Sequence, residues 1–157
     1  MEYQKKYYTK EAALQKLQSY CAYQERCHQE VSSKLYELGF RGEAADEIMA
    51  KLIEDNFLNE ERFAIAYARG KFRIKRWGKI RIRQDLKMRN IPEYSLKKAM
   101  QAIDTEGGYI ETLETVIRLK SKDYEGDAQK KEKLAAHAMR KGFESELIWE
   151  TLKNWTD

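Results

Sequence analysis

Val31-SSKLYELGFRGEAADEIMAK-Leu52 returns twice in this chain, as Ile82-RQDLKMRNIPEYSLKKAMQA-Ile103 and Leu134-AAHAMRKGFESELIWETLKN-Trp155, at offsets of 51 and 52 residues. Each copy opens on an aliphatic residue and places Leu35, Leu86 or Ala138 four positions on. A turn pair follows: Gly39-Phe40, Asn90-Ile91 or Gly142-Phe143. Apolar residues recur five, nine and twelve positions after it, as Ala45, Leu96 and Ile148, then Met49, Met100 and Leu152, then Leu52, Ile103 and Trp155. Gly and Asn best tolerate the left-handed backbone on which many helices close. The spacings of three and four beyond the turn belong to one face of a second helix. Pro92, just after its turn, suits a first helical turn, where a missing N–H loses no bond. Each copy is therefore helix–turn–helix, and the near-constant period marks a tandem repeat.

A further helix precedes each pair. Leu14, Leu17 and Cys21 share a face in the first, with Thr9 as its N-cap and Glu11 in its first turn. Asn59 caps the second, followed by Glu60 and Glu61, with Phe63, Ala66, Tyr67 and Gly70 on one side. Ile110, Leu113, Val116 and Ile117 form the stripe of the third. The expected organisation is all-α: three three-helix repeats over residues 1–58, 59–107 and 108–157, stacked as a curved, elongated rod. A polar stretch near 122–131 reads as a longer loop in the third repeat.

Charged residues make up 36% and hydrophobic ones 42% of the 157 residues, a mixture suited to exposed helices with narrow apolar stripes and not to a disordered tail or a β-sandwich. No run of ~18 apolar residues exists for a membrane span, and Met1 to Lys10 lacks the apolar stretch of a signal peptide. A cytoplasmic protein is expected. Cys21 and Cys27, read as lying within one helical region six residues apart, point to different faces and stay reduced. With only His28 and His137 beside them, no four-ligand metal set and no cofactor are expected.

The net charge of +4 is unevenly spread, at −2 over residues 1–58, +7 over 59–107 and −1 over 108–157. The excess concentrates in Arg69, Lys71, Arg73, Lys75, Arg76, Lys79, Arg81, Arg83, Lys87 and Arg89, against one acid, Asp85. Lys79, Arg83 and Lys87 fall at i, i+4 and i+8 and form a single stripe on the helix that buries Ile82 and Leu86. Like charges so crowded repel unless an anionic surface answers them, and a phosphate backbone is the commonest such surface. Trp77 is suited to stacking on a base or a guanidinium, and equally to filling a gap between helices. Nothing points to catalysis. There is no phosphate-binding glycine loop, Gly107-Gly108 reads as a turn, and the acid pairs Asp46-Glu47 and Glu60-Glu61 read as solvated helix surface or first-turn charges.

These residues resemble the RecX family. The likeness runs from about Lys10 to Trp155. It is most specific in Asn59-Glu60-Glu61-Arg62-Phe63-Ala64, similar to the family's acidic-acidic-x-Arg-Phe-Ala signature, and in Lys75-Arg76-Trp77-Gly78-Lys79-Ile80-Arg81-Ile82. Asp85-Leu86-Lys87-Met88-Arg89-Asn90-Ile91 is similar to its Glu-Leu-x-x-Lys-Gly-Ile helix end, with Asn90 in place of glycine. Glu25-Arg26-Cys27-His28-Gln29-Glu30-Val31 matches more loosely, lacking a hydroxyl to cap its helix. The resemblance implies a non-catalytic, cofactor-free monomer that binds the RecA filament on single-stranded DNA. It would inhibit strand exchange, ATPase and co-protease activities, with duplex DNA at most a weak ligand. The residues alone leave open a free-standing helix–turn–helix reader of duplex DNA, with Gln84 as a base contact, and a scaffold whose basic face meets an acidic protein.

Overall fold

A computed structural model describes residues 7–155, and within them the protein is all-α, with nine α-helices and no strand. They are α1 (Lys10–Tyr23), α2 (His28–Glu37), α3 (Gly42–Glu54), α4 (Glu60–Gly70), α5 (Lys79–Met88), α6 (Glu93–Glu106), α7 (Tyr109–Ser121), α8 (Lys130–Lys141) and α9 (Ser145–Lys153). A π-helical turn, Lys71–Lys75, extends α4, and a 3-10 turn, Lys122–Tyr124, extends α7 into the polar stretch. Of Met1 to Lys10, read as lacking a signal peptide, residues 1–6 lie outside the described residues. None of the described helices is long and apolar enough to cross a membrane.

Packing divides the chain into two compact units, one ending at Phe63 and the other beginning at Ala64. In the first, Ala13, Leu17 and Cys21 of α1 meet Val31 and Leu35 of α2 and Ile48 and Leu52 of α3. Ala45 and Met49 are only partly covered. An alanine brings too little side chain to the position that Leu96 and Ile148 fill elsewhere, and Ile48, three residues on, shares its face. In the second unit Leu113, Val116 and Ile117 of α7 pack with Leu134 and Ala138 of α8 and Ile148 and Leu152 of α9. Ile110, expected in that stripe, is 39% exposed.

The three repeat turns close as their residue types require. Gly39, Asn90 and Gly142 have φ of 91°, 61° and 100°. The N–H of the next residue reaches back to the carbonyl of Leu35, Leu86 or Ala138, at 2.9, 3.2 and 3.2 Å. Asn56, at φ 65°, ends α3 in the same way. Pro92 stands one residue earlier than expected, at the N-cap of α6. The stripe along α4 also differs from its expectation: Phe63, Ala64, Ala68 and then Phe72 are buried, while Ala66 is exposed. Helical backbone continues past Gly70, and Phe72 in the π-turn stacks on Tyr109, ring centroids 5.8 Å apart.

Caps fall partly as expected. Ala12 N–H donates to Thr9 Oγ1 at 3.1 Å, and Arg62 N–H to Asn59 Oδ1 at 2.9 Å. The two cysteines do not share a helix, because α1 stops at Tyr23 and Cys27 is the N-cap of α2; both are buried and neither is in a disulfide. Carboxylates supply what the missing hydroxyl would: Glu30 accepts from Cys27 N–H at 3.3 Å and Glu60 from His28 N–H at 3.1 Å. Glu60 is therefore an inter-helix cap rather than solvated surface. Arg62, the arginine of the signature, is a fastener. It pairs with Glu25 and donates to Asn56 Oδ1 and the carbonyls of Asn56 and Phe57 at the end of α3.

Candidate nucleic-acid interface

The basic segment Arg69–Arg89 runs from the end of α4 through the π-turn and along α5, and its cations differ in what surrounds them. Three have carboxylate partners brought from a distance: Arg73 with Glu106, Lys79 with Asp104 and Arg83 with Glu93. Two members of the expected Lys79–Arg83–Lys87 stripe are thus answered within the molecule, while Lys87 stays exposed. Two more sit against aromatic faces. Lys71 Nζ lies 5.4 Å from the Tyr67 ring centroid and 4.9 Å from that of Trp77, and the Arg89 guanidinium lies 5.0 Å from that of Tyr67. Tyr67 in turn donates to Asp85, the lone acid of the segment.

Arg69, Lys75, Arg76 and Arg81 are exposed and have no carboxylate partner among the described residues. Arg76 closes the π-turn at φ 54°, a backbone that favours glycine. A cation held there at a conformational cost, beside a π-turn, is the kind of local irregularity that gathers at functional surfaces. Trp77 meets a guanidinium, one of the roles it is suited to. The Arg81 guanidinium lies 3.9 Å from its ring centroid, with Lys71 also near the ring. Its ring thus carries cations of the protein itself.

What holds α5 in place is a joint with the third repeat's turn. Gly78 N–H donates to Lys141 O at 2.7 Å and Ile80 N–H to Gly142 O at 3.0 Å. Lys79 N–H between them donates to Tyr109 Oη at 3.0 Å, and that hydroxyl donates to the Glu144 carboxylate at 2.8 Å. Burial and this carboxylate push the Tyr109 phenol well above its ordinary range. The C-terminal carbonyls of α8 thus meet the N-terminal donors of α5, opposite ends of two helix dipoles. Neither glycine tolerates a side chain: a Cβ on Gly78 would strike the Gly142 carbonyl, and one on Gly142 would strike Arg81. The first donors of α5 are therefore spent on the protein and do not form a phosphate cradle.

Side chains fasten the same joint. The Arg81 guanidinium donates to Arg140 O at 3.2 Å, and Lys141 Nζ donates to Lys75 O at 2.7 Å. Burial, then the charges of Arg81, Arg76 and Lys75, lower the Lys141 pKa from its ordinary value. The sequence reading missed Tyr109, Arg140, Lys141 and Glu144. Arg140 and Lys141 look like ordinary last-turn helix charges, and nothing local to Tyr109 marks it as the bridge to Lys79, 30 residues away.

Comparisons with known proteins bear on this arrangement. The model of the second three-helix domain of RecX matches residues 59–100, and that of its third three-helix domain matches residues 108–152. The regulatory protein RecX of Prosthecochloris aestuarii is 27% identical over 141 residues, covering 89% of this chain and 91% of that one. That of Bacillus cytotoxicus is 28% identical over 132 residues, 83% of this chain and 48% of the relative. That of Bacillus cereus strain B4264 is 28% identical over 141 residues, so the chain spans about half the length of its Bacillus relatives. A crystal structure of regulatory protein RecX superposes with a TM-score of 0.80 at 21% identity, over 93% of this chain and 72% of that one. RecX from Lactobacillus salivarius gives 0.77 at 23% identity, over 92% and 94%. At that level of identity the likeness shows the fold.

Proposed function

This chain belongs to the RecX family of regulatory proteins, and from that premise we propose that it binds the RecA filament on single-stranded DNA and restrains it. Strand exchange, ATP hydrolysis and co-protease activity are the activities it lowers. It acts in the cytoplasm as a non-catalytic monomer without a cofactor, built as three repeats over residues 1–58, 59–107 and 108–157. The observation that carries the nucleic-acid part is the set of exposed cations without carboxylate partners, Lys75, Arg76 and Arg81, gathered where the π-turn meets α5. A field of one sign on a fixed backbone attracts a polyanion, and releasing its condensed counterions drives binding. Arg69 and Lys87 extend that field, and Lys71, Trp77 and Arg89 brace it. Arg73, Lys79 and Arg83 contribute less because each already holds a carboxylate.

The test is ATP hydrolysis by RecA on single-stranded DNA, titrated with this protein. A fall in turnover at stoichiometric or lower amounts is expected, and unchanged turnover at saturating protein would reject the reading.

A further inference from the structure

We propose that the anion-binding surface does not end with the second repeat but crosses the joint, so that Arg140 and Lys141 at the end of α8 share with Lys75, Arg76 and Arg81 one site for the phosphates of a single nucleic-acid strand. This rests on the reading of the basic segment as nucleic-acid-facing and names where that surface continues.

The geometry comes first. Arg81 reaches across to the Arg140 carbonyl, and Lys141 reaches back to the Lys75 carbonyl, so each side chain lies beside the other strand of the joint. Lys75, Arg76, Arg81 and Lys141 thereby lie within electrostatic reach of one another around one pair of backbone crossings, with Arg140 next to them in the chain, and none of the five has a carboxylate partner among the described residues. Glu144, the acid nearest in sequence to the α8 end, is engaged by Tyr109. The arrangement is self-repelling: burial first, and then the charges of Arg81, Arg76 and Lys75, make the ammonium of Lys141 give up its proton more readily than an ordinary lysine. A mobile surface would let these side chains swing apart. Here the close approach of the two glycines and the paired carbonyl bonds hold the backbone that carries them, and the Trp77 face lies under Arg81. A phosphodiester oxygen is the ligand that turns this repulsion into attraction, and cations at fixed spacing suit a backbone that repeats its charge at fixed spacing.

The experiment is fluorescence anisotropy of the full chain with a labelled oligothymidylate, without RecA, at several salt concentrations. The variant is Arg140→Gln with Lys141→Gln, and the charge-matched control is Lys131→Gln with Lys153→Gln on exposed surface elsewhere. The joint variant is expected to bind about fivefold more weakly, with the slope of log K against log salt reduced by about 1.4, or ~0.7 for each lost contact. Arg140→Gln alone leaves both joint hydrogen bonds intact, since Arg140 enters one of them only through its carbonyl and the other joins Lys141 to Lys75. It should lose about half of that slope change with unchanged melting. Parent-like affinity and slope in both variants overturns the site, and so does an equal loss in the control. Normal oligonucleotide binding with weaker binding to RecA on DNA also overturns it, since the cluster would then face protein. If instead oligonucleotide binding falls while RecA is never inhibited, the phosphate site stands and the RecA reading falls.

Discussion

Arg73, Lys79 and Arg83 differ from Lys75, Arg76 and Arg81 in nothing that a sequence displays, yet the fold treats them oppositely. The first three are drawn onto Glu106, Asp104 and Glu93, acids 10 to 33 residues away. The second three stand exposed around the joint with α8. Charge density along a chain therefore overstates the charge available to a partner. What separates the groups is α6, which carries all three acids.

The comparison is broken most completely by destroying the joint that displays the second group. Gly142→Val forces a β-branched residue to φ 100° and drives its Cβ into Arg81. A loss on the order of 4 kcal/mol is expected from backbone strain and overpacking together, read as a lowered denaturation midpoint. Oligonucleotide affinity should fall with it even under conditions where the variant stays folded. Tyr109→Phe is milder. It removes the acceptor for Lys79 N–H and the donor to Glu144, costing about 2 kcal/mol, while thermal melting should remain cooperative. Gly39→Ala is smaller still and sharpens the contrast between turns. Its φ of 91° resembles that of Gly142, but no atom lies within 4 Å of the added Cβ, so only the strain of about 1 kcal/mol remains. Oligonucleotide binding by Gly39→Ala should match the parent once both are folded. A Gly142→Val protein as stable as Gly39→Ala would show that the close approach at the joint does not matter.

Much of the fold was legible because its signals are local. The left-handed turns at Gly39, Asn90 and Gly142, the caps at Thr9 and Asn59 and the buried pairs Val31–Leu35, Ile82–Leu86 and Leu134–Ala138 each depend on residues a few positions apart. The stripe of α4 was misjudged because the π-turn carries Phe72 inward beyond the residue where the helix was expected to finish. The candidate site was legible only as composition. The segment Arg69–Arg89 announces its charge, but the partners of Lys79 and Arg83 and the approach of Arg140 and Lys141 are set by α6 and α8. Those contacts span up to 66 residues and leave no periodic trace.

The most direct measurement compares two charge-matched triple variants, Lys75→Gln/Arg76→Gln/Arg81→Gln and Arg73→Gln/Lys79→Gln/Arg83→Gln, in the salt dependence of single-stranded DNA binding. The account predicts that the first lowers the slope of log K against log salt by about 2, near ~0.7 per cation, and that the second changes it by less than about half as much. Equal slopes in the two variants would contradict it.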